Sequence, residues 1–354
     1  MKLLIAAGGT GGHIFPGISV AEAFAEVPGN EVFFTGTPYG LEEQLIPSRG
    51  FRLVKIEAKP FTGRSPLAKA QTLLAIGKGI RQAFHVIRTE RPDAILGMGG
   101  FTCVPILIAG VLLGVPSFIH EQNVIPGMAN RFLASRAKAT FVSFAETAKH
   151  LKAKEIVHTG SPIRKQMRGK RTGKSGDDFG IFIFGGSRGA RAINEGILGL
   201  LPFLEGYRKT VLYHQTGPED FERVKVGYSA TTTRHEVFPF TDEMEKYYNQ
   251  ADVVVSRAGA STIFELSYFG KPAILVPYPF SAGNHQWKNA SEVERVGGGY
   301  VVENSEFSGE RIYGVLTELR EDAEELRAMG ENIRTIYVDD SEQKIIKGIE
   351  ARVS

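Results

Sequence analysis

The chain is poor in cysteine. Cys103 is the only one, so no internal disulfide can form, and no zinc-ligand spacing occurs. This usage fits a reducing, cytoplasmic setting. No Asp-x-Asp is present either, which argues against a metal-held diphosphate. No apolar run of bilayer length is free of breakers. Ile95–Ile119 is uncharged, but seven glycines and prolines, from Gly97 to Pro116, interrupt it and suit strand–loop–helix–strand. The opening MKLLIAAGGTGGH breaks into glycines after about six apolar residues and reads as a first strand, not a signal peptide. Strong basicity is missing: a net charge of +3 without an RNA- or DNA-binding motif excludes nucleic acid as a partner. GKRTGKSG at 169–176 is not a P-loop, because Arg168 stands where the first glycine is required and no strand leads in.

Glycine is abundant, at 41 residues, and concentrates in loops that follow apolar runs. The clearest case is Val253–Glu265, VVVSRAGASTIFE. Val253–Val255 reads as a buried parallel strand, Ser256–Ala260 as a small-residue turn, and Ser261 and Thr262 as N-caps of a helix over Ile263–Phe269. Unpaired N–H groups and the positive dipole end then face whatever lies above the sheet, which makes a phosphate site. Glu265, one turn inside, is placed to accept two hydrogen bonds from a ribose diol.

Strand and helix patterns alternate along the chain, which predicts α/β with parallel sheets. The pattern pauses at the small, basic stretch 169–176, a linker by composition, and then restarts. The two halves open alike, LLIAAGGTGGH and IFIFGGSRGA. Two doubly wound, Rossmann-like domains facing across a ligand cleft follow from that plan. Charge divides as well. Residues 1–160 hold 17 Lys and Arg against 11 Asp and Glu, net +6; residues 161–354 hold 25 against 28, net −3.

Several polar residues stand where such a plan puts chemistry. His13 closes the first glycine loop and Glu121 lies in HEQN at a strand end, so either can serve as general base toward an acceptor hydroxyl. Asn123 offers an amide to sugar hydroxyls. Arg164, near the domain boundary, can clamp a diphosphate. His285 and Gln286 open a helix after a Pro/Gly loop, and Gln286 has both donor and acceptor atoms. The pattern Leu67–Arg88 is an amphipathic basic helix, with Leu73, Leu74, Ile76, Ile80, Phe84 and Ile87 against Lys69, Lys78, Arg81 and Arg88.

GGTGGHIFPG, GMGGF at 97–101, HEQN at 120–123, GGSRGA at 185–190, SRAGASTIFE and HQWKNA occur in order. With them the chain resembles the MurG family of peptidoglycan glycosyltransferases over nearly its whole length. The resemblance implies a GT-B fold and inverting transfer of N-acetylglucosamine from UDP-N-acetylglucosamine to lipid I, undecaprenyl-pyrophosphoryl-MurNAc-pentapeptide, without metal or cofactor. It implies an acceptor and membrane domain over 1–162, a linker over 163–176, a donor domain over 177–340, and a final helix, 341–354, that packs back on the first domain. It carries donor contacts onto Thr10, Gly11, Gly12, Asn123, Arg164, Ser187, Thr241, Gly259, Ala260, Ser261, Thr262, Ile263, Phe264, Glu265 and Gln286. Arg188 departs from the glutamine of some members at a position near the sugar. Peripheral attachment to the cytoplasmic face of the plasma membrane, through anionic lipid and the basic N-terminal domain, is expected. Rival readings are another GT-B lipid glycosyltransferase, a UDP-sugar epimerase, a nicotinamide oxidoreductase and a non-catalytic nucleotide-sugar-binding subunit.

Overall fold

A computed structural model describes residues 1–59, 66–206 and 209–353, with the side chains of the third helix described from residue 75 onward. The chain divides into two units. Unit 1 is Met1–Lys165 with Val338–Ser354, and unit 2 is Gln166–Tyr337.

Unit 1 runs β1 (Lys2–Ala6), α1 (Gly11–Ala25), β2 (Glu31–Gly36), α2 (Glu42–Ser48), β3 (Leu53–Lys55), α3 (Pro66–Glu90), β4 (Ala94–Gly97), α4 (Cys103–Leu112), β5 (Ser117–Glu121), α5 (Met128–Leu133), β6 (Ala139–Val142) and β7 (Ile156–His158). The strands form one parallel sheet in the order β3-β2-β1-β4-β5-β6-β7. Central strands are apolar on both faces because helices cover both: Leu3 and Ile5 belong to one core, Leu4 and Ala6 to the other. Close approach of α1 to the sheet depends on Gly17, where a Cβ would lie 3.2 Å from Met98 Cγ.

Unit 2 repeats the plan with β8 (Phe179–Phe184), α6 (Arg191–Leu200), β9 (Thr210–Gln215), α7 (Phe221–Tyr228), β10 (Arg234–Phe238), α8 (Met244–Gln250), β11 (Val253–Ser256), α9 (Ala260–Phe269), β12 (Ala273–Leu275), α10 (His285–Arg295), β13 (Gly299–Val301), α11 (Gly309–Glu321) and α12 (Ala323–Arg334). Its parallel sheet has the order β10-β9-β8-β11-β12-β13. In both units the strand order reverses beside the first strand, and the glycine loops leave the carboxyl ends of the central strands. That is where α/β sheets bind ligands.

The last helix, α13 (Ser341–Val353), buries Ile345, Ile346 and Ile349 in the core of unit 1. The stretch expected as a linker is not loose. Gly169 N–H donates to Tyr268 Oη at 2.7 Å, Thr172 N–H donates to Asn249 Oδ1 at 3.0 Å, and Lys174 pairs with Asp252. Its composition lacks apolar residues because it is held by hydrogen bonds and charge along the edge of unit 2.

Candidate active site

In unit 2, α9 starts at Ala260, and Gly259 is its cap in extended backbone, with no side chain bonded to the helix tip. Ser261 and Thr262, expected as caps, lie in the first turn instead. The extended residue that a cap requires falls two positions earlier, at Gly259. The Ser261 hydroxyl oxygen is buried and has no hydrogen-bond partner. An orphan hydroxyl beside uncapped N–H groups is a donor set that suits a phosphate.

A cavity of about 570 Å³ opens at this tip, lined among others by Gly185, Gly189, Arg257, Gly259, Thr262 and Gln286. Thus the GGSRGA loop, the α9 tip and the start of α10 come together within one unit. Gly189 has φ +77°, and a Cβ there would lie 1.9 Å from the Thr216 carbonyl oxygen, so only glycine fits. Ser187 and Arg188 at the loop crest are exposed.

Other expected donor residues are more constrained than the sequence suggests. Gln286 Oε1 accepts the Tyr278 N–H at 2.8 Å, which takes one of its two acceptor sites and fixes the amide at the cavity wall. His285 Nδ1 bonds the Ala282 carbonyl at 2.9 Å. The Thr241 N–H donates to Gln215 Oε1 at 3.1 Å, and its hydroxyl accepts the Glu243 N–H, so both groups are already bonded within unit 2. Ile263 and Phe264 are fully buried in α9 and present no side chain to a ligand. Glu265 is 7 % exposed, with Oε2 accepting from Tyr248 Oη at 3.0 Å, so its orientation is set from within.

Arg257 escaped the sequence reading, which took it as part of a small-residue turn. It lines the cavity, donates to the Val276 and Pro277 carbonyls at 3.0 and 3.2 Å, and lies over the Tyr278 ring. Burial lowers its pKa, but an arginine stays cationic at neutral pH. It is the one charged residue between β11 and α9, and that is the signal that could have found it.

In unit 1, His13 sits in the first turn of α1, and its Nδ1 meets Thr10 Oγ1 at 3.1 Å. Thr10 therefore orients the imidazole. Gly11 and Gly12 open the same helix. The second glycine loop packs on this ring: Gly99 has φ +98°, and a Cβ there would lie 3.0 Å from His13 Nε2. The same Cβ would lie 3.2 Å from Asn130 Nδ2 on α5, the amide that donates to the His120 carbonyl and to Glu121 Oε2.

Glu121 is not placed as a base. It is 1 % exposed, and its two oxygens accept from the Asn123 N–H at 2.9 Å, Asn123 Nδ2 at 3.2 Å, the Gly127 N–H at 2.9 Å and Asn130 Nδ2 at 2.8 Å. Burial raises its pKa against those four bonds. Its work is to shape the loop from Gln122 to Gly127, and the Asn123 amide is part of that loop. Next to it, His120 is buried and lowered to about 4, mainly by desolvation, with Nε2 on the Gly160 carbonyl. Arg164 belongs to unit 1, with its guanidinium 5.5 Å from the Phe15 ring centre.

Residues 3–142 match the family model described as Glycosyltransferase family 28 N-terminal domain, and residues 180–346 match Glycosyltransferase family 28 C-terminal domain. Relatives named UDP-N-acetylglucosamine--N-acetylmuramyl-(pentapeptide) pyrophosphoryl-undecaprenol N-acetylglucosamine transferase match along the chain. The one from Geotalea uraniireducens is 40 % identical over 98 % of this chain and 97 % of its own length. The one from Citrifermentans bemidjiense is 38 % identical over 99 % and 100 %. Among solved structures, MurG of Acinetobacter baumannii has a TM-score of 0.81 at 28 % identity, with 99 % of both chains covered. A UDP-GlcNAc 2-epimerase from Neisseria meningitidis has a TM-score of 0.68 at 15 % identity, over 99 % of this chain and 100 % of its own, a likeness of fold alone. The chain belongs to the glycosyltransferase family of these UDP-N-acetylglucosamine–N-acetylmuramyl-(pentapeptide) pyrophosphoryl-undecaprenol N-acetylglucosamine transferases.

Proposed function

We infer that this chain transfers N-acetylglucosamine from UDP-N-acetylglucosamine to the C4 hydroxyl of the muramyl sugar of lipid I, giving lipid II with inversion at the anomeric carbon. The observation that carries this reading is the whole-length identity of about 40 % to transferases of that name, in a chain whose motifs line one cavity at the α9 N-terminus. The muramyl O4 attacks the anomeric carbon, the bond to the diphosphate breaks, and UDP leaves. In the tautomer that donates Nδ1–H to Thr10 Oγ1, His13 Nε2 is the basic nitrogen and takes the O4 proton. The α9 tip, Ser261 and Arg257 hold the donor diphosphate, and Glu265 takes the ribose. UDP-N-acetylglucosamine should release UDP only when a lipid I analogue is present. Epimerised sugar nucleotide formed without acceptor, or NADH bound in preference to UDP-sugars, would overturn the assignment.

Unit 1 supplies the membrane surface in this reading. Ala83, Val86 and Ile87 of α3 are buried, so its apolar side is core rather than anchor, while Lys78, Arg81 and Arg88 face outward. The Lys69, Leu73 and Leu74 side chains lie outside the described residues. Exposed apolar residues stand instead at Leu112 on α4 and at Met128 and Phe132 on α5. No helix among the described residues is long and apolar enough to cross a membrane. Attachment is peripheral, to the cytoplasmic face, at about 1 kcal/mol per basic residue and weakened by salt. Sedimentation with anionic vesicles should fall steeply with added salt and in the triple variant K78E/R81E/R88E. Unchanged binding in that variant would move the contact to Leu112, Met128 and Phe132.

A further inference from the structure

The first glycine loop is built around a carboxylate that the chemistry above does not use. Glu42, the first residue of α2, turns inward and is fully buried. Among the described residues it has no ion-pair partner. Its Oε1 accepts the Thr37 N–H at 2.9 Å and the Thr37 hydroxyl at 2.6 Å, and its Oε2 accepts the Gly9 N–H at 3.1 Å. Three glycines make room for it. A Cβ on Gly8, Gly36 or Gly40 would lie 2.7, 2.6 or 2.1 Å from the nearest Glu42 atom. An unpaired buried carboxylate is costly, and an apolar side chain would fill the same space without that cost. What the carboxylate alone supplies is an acceptor, fixed by Thr37, for one backbone N–H of the loop.

That N–H belongs to Gly9, which precedes Thr10. The Thr10 carbonyl accepts the N–H groups of His13 and Ile14, and its hydroxyl meets His13 Nδ1. The hold therefore runs from Thr37 through Glu42 and Gly9 to Thr10 and the imidazole. We propose that Glu42 is a positioning residue for sugar transfer, fixing the Gly9–His13 segment so that the His13 ring faces the acceptor hydroxyl. This rests on the reading of His13 as the base.

The test is Glu42→Gln. Thr37 offers two donors to Oε1 and so selects the amide oxygen, which turns the amide N–H₂ toward the Gly9 N–H, donor against donor. Turnover should fall about 10- to 100-fold, as for a misplaced catalytic group, while the donor KM changes less than about twofold. The His13 imidazole resonance, assigned by its loss in H13A, should shift in E42Q. In the H13A background E42Q should add almost no further loss. Thr37→Val, which removes one bond to Oε1, should move turnover and the resonance less but in the same direction, and it carries the test if E42Q does not fold. An unmoved His13 resonance, a loss in donor KM rather than kcat, or losses that multiply in the double variant would overturn the proposal. A shifted resonance beside a fully active H13A would instead sink His13 as the base and leave the hold of Glu42 on the loop standing.

Discussion

Replacement of Glu121 by alanine separates a loop-shaping carboxylate from a catalytic base. The substitution removes the acceptor of four hydrogen bonds, from the Asn123 and Gly127 N–H groups and the amides of Asn123 and Asn130. An orphaned buried donor costs about 1–3 kcal/mol, and only the Asn130 bond is fully buried, the other three being partly open to water. The sum overstates the effect, because burial raises the Glu121 pKa, and removing the charge recovers that desolvation. A net loss of about 2–4 kcal/mol follows, with part of the loop rewetting. For a unit of this size that is a fall in melting temperature of about 4–16 °C. Glu121→Gln keeps one acceptor and has no charge to desolvate, so its loss should be about half as large. Calorimetry or denaturant titration gives the stability, and steady-state kinetics below the melting temperature gives turnover. A Glu121→Ala protein of wild-type stability whose kcat has dropped by about 10²–10⁴ would refute the reasoning and restore Glu121 as the base.

His13→Ala should lower kcat by about 10²–10⁴ with the donor KM nearly unchanged, and near-normal turnover would remove His13 from the chemistry. Glu265→Ala should raise the donor KM, since a lost charge-assisted hydrogen bond costs about 1.5–3 kcal/mol; unaltered UDP affinity in a folded variant would reject the ribose contact. Stability should fall as pH drops from 6.5 toward 4. His120 is lowered to about 4 and His214 to about 3, both by burial, so the unfolded chain takes up protons that the folded chain refuses. A melting temperature that holds or rises over that interval would contradict the buried neutral imidazoles.

The class of fold was legible because it rests on periodicity. Apolar runs such as Leu3–Ala6 and Val253–Val255 end in glycines and are followed by helical patterns, and the structure has parallel sheets there. Strand order was not legible, since it depends on which way each crossover turns. The α9 cap was misplaced because Ser261 and Thr262 have capping chemistry, whereas position is decided by the backbone, which is extended at Gly259. The stretch 169–176 read as a linker because its partners, Tyr268, Asn249 and Asp252, are roughly 75 to 100 residues distant in sequence and only the fold brings them near. Glu121 and Arg257 were misjudged for one reason: residue type and loop position suggest what a side chain can do, while burial and partners decide what it does.

The glycine loops that follow the first strand of each unit carry that point further. Each was visible as a motif, and each is held by a polar residue that no motif marks. In unit 1 it is Glu42, which holds Gly9. In unit 2 the Gly186 carbonyl of the loop accepts from Gln215 Nε2 at 3.2 Å, and the neighbouring Thr216 is held by Asn194 on α6. Its Nδ2 donates to the Thr216 carbonyl at 3.0 Å and to Asp220 Oδ2 at 2.7 Å, and its Oδ1 accepts from His214 Nε2 at 3.0 Å. Thr216 is the residue against which Gly189 packs. His214 Nδ1 in turn accepts from Tyr228 Oη at 3.0 Å, which fixes the imidazole as the neutral Nε2–H tautomer. Glycine lets backbone approach a ligand but loses more conformational entropy than any other residue on folding. A loop of glycines is therefore a site only where something outside it fixes the backbone. Buried polar acceptors do this better than apolar packing, because a hydrogen bond sets the direction of an N–H while a methyl contact sets only its distance. The glycine motif and its buried polar anchor are two halves of one device, and the anchor is found by asking what each loop N–H and its neighbouring carbonyls are bonded to.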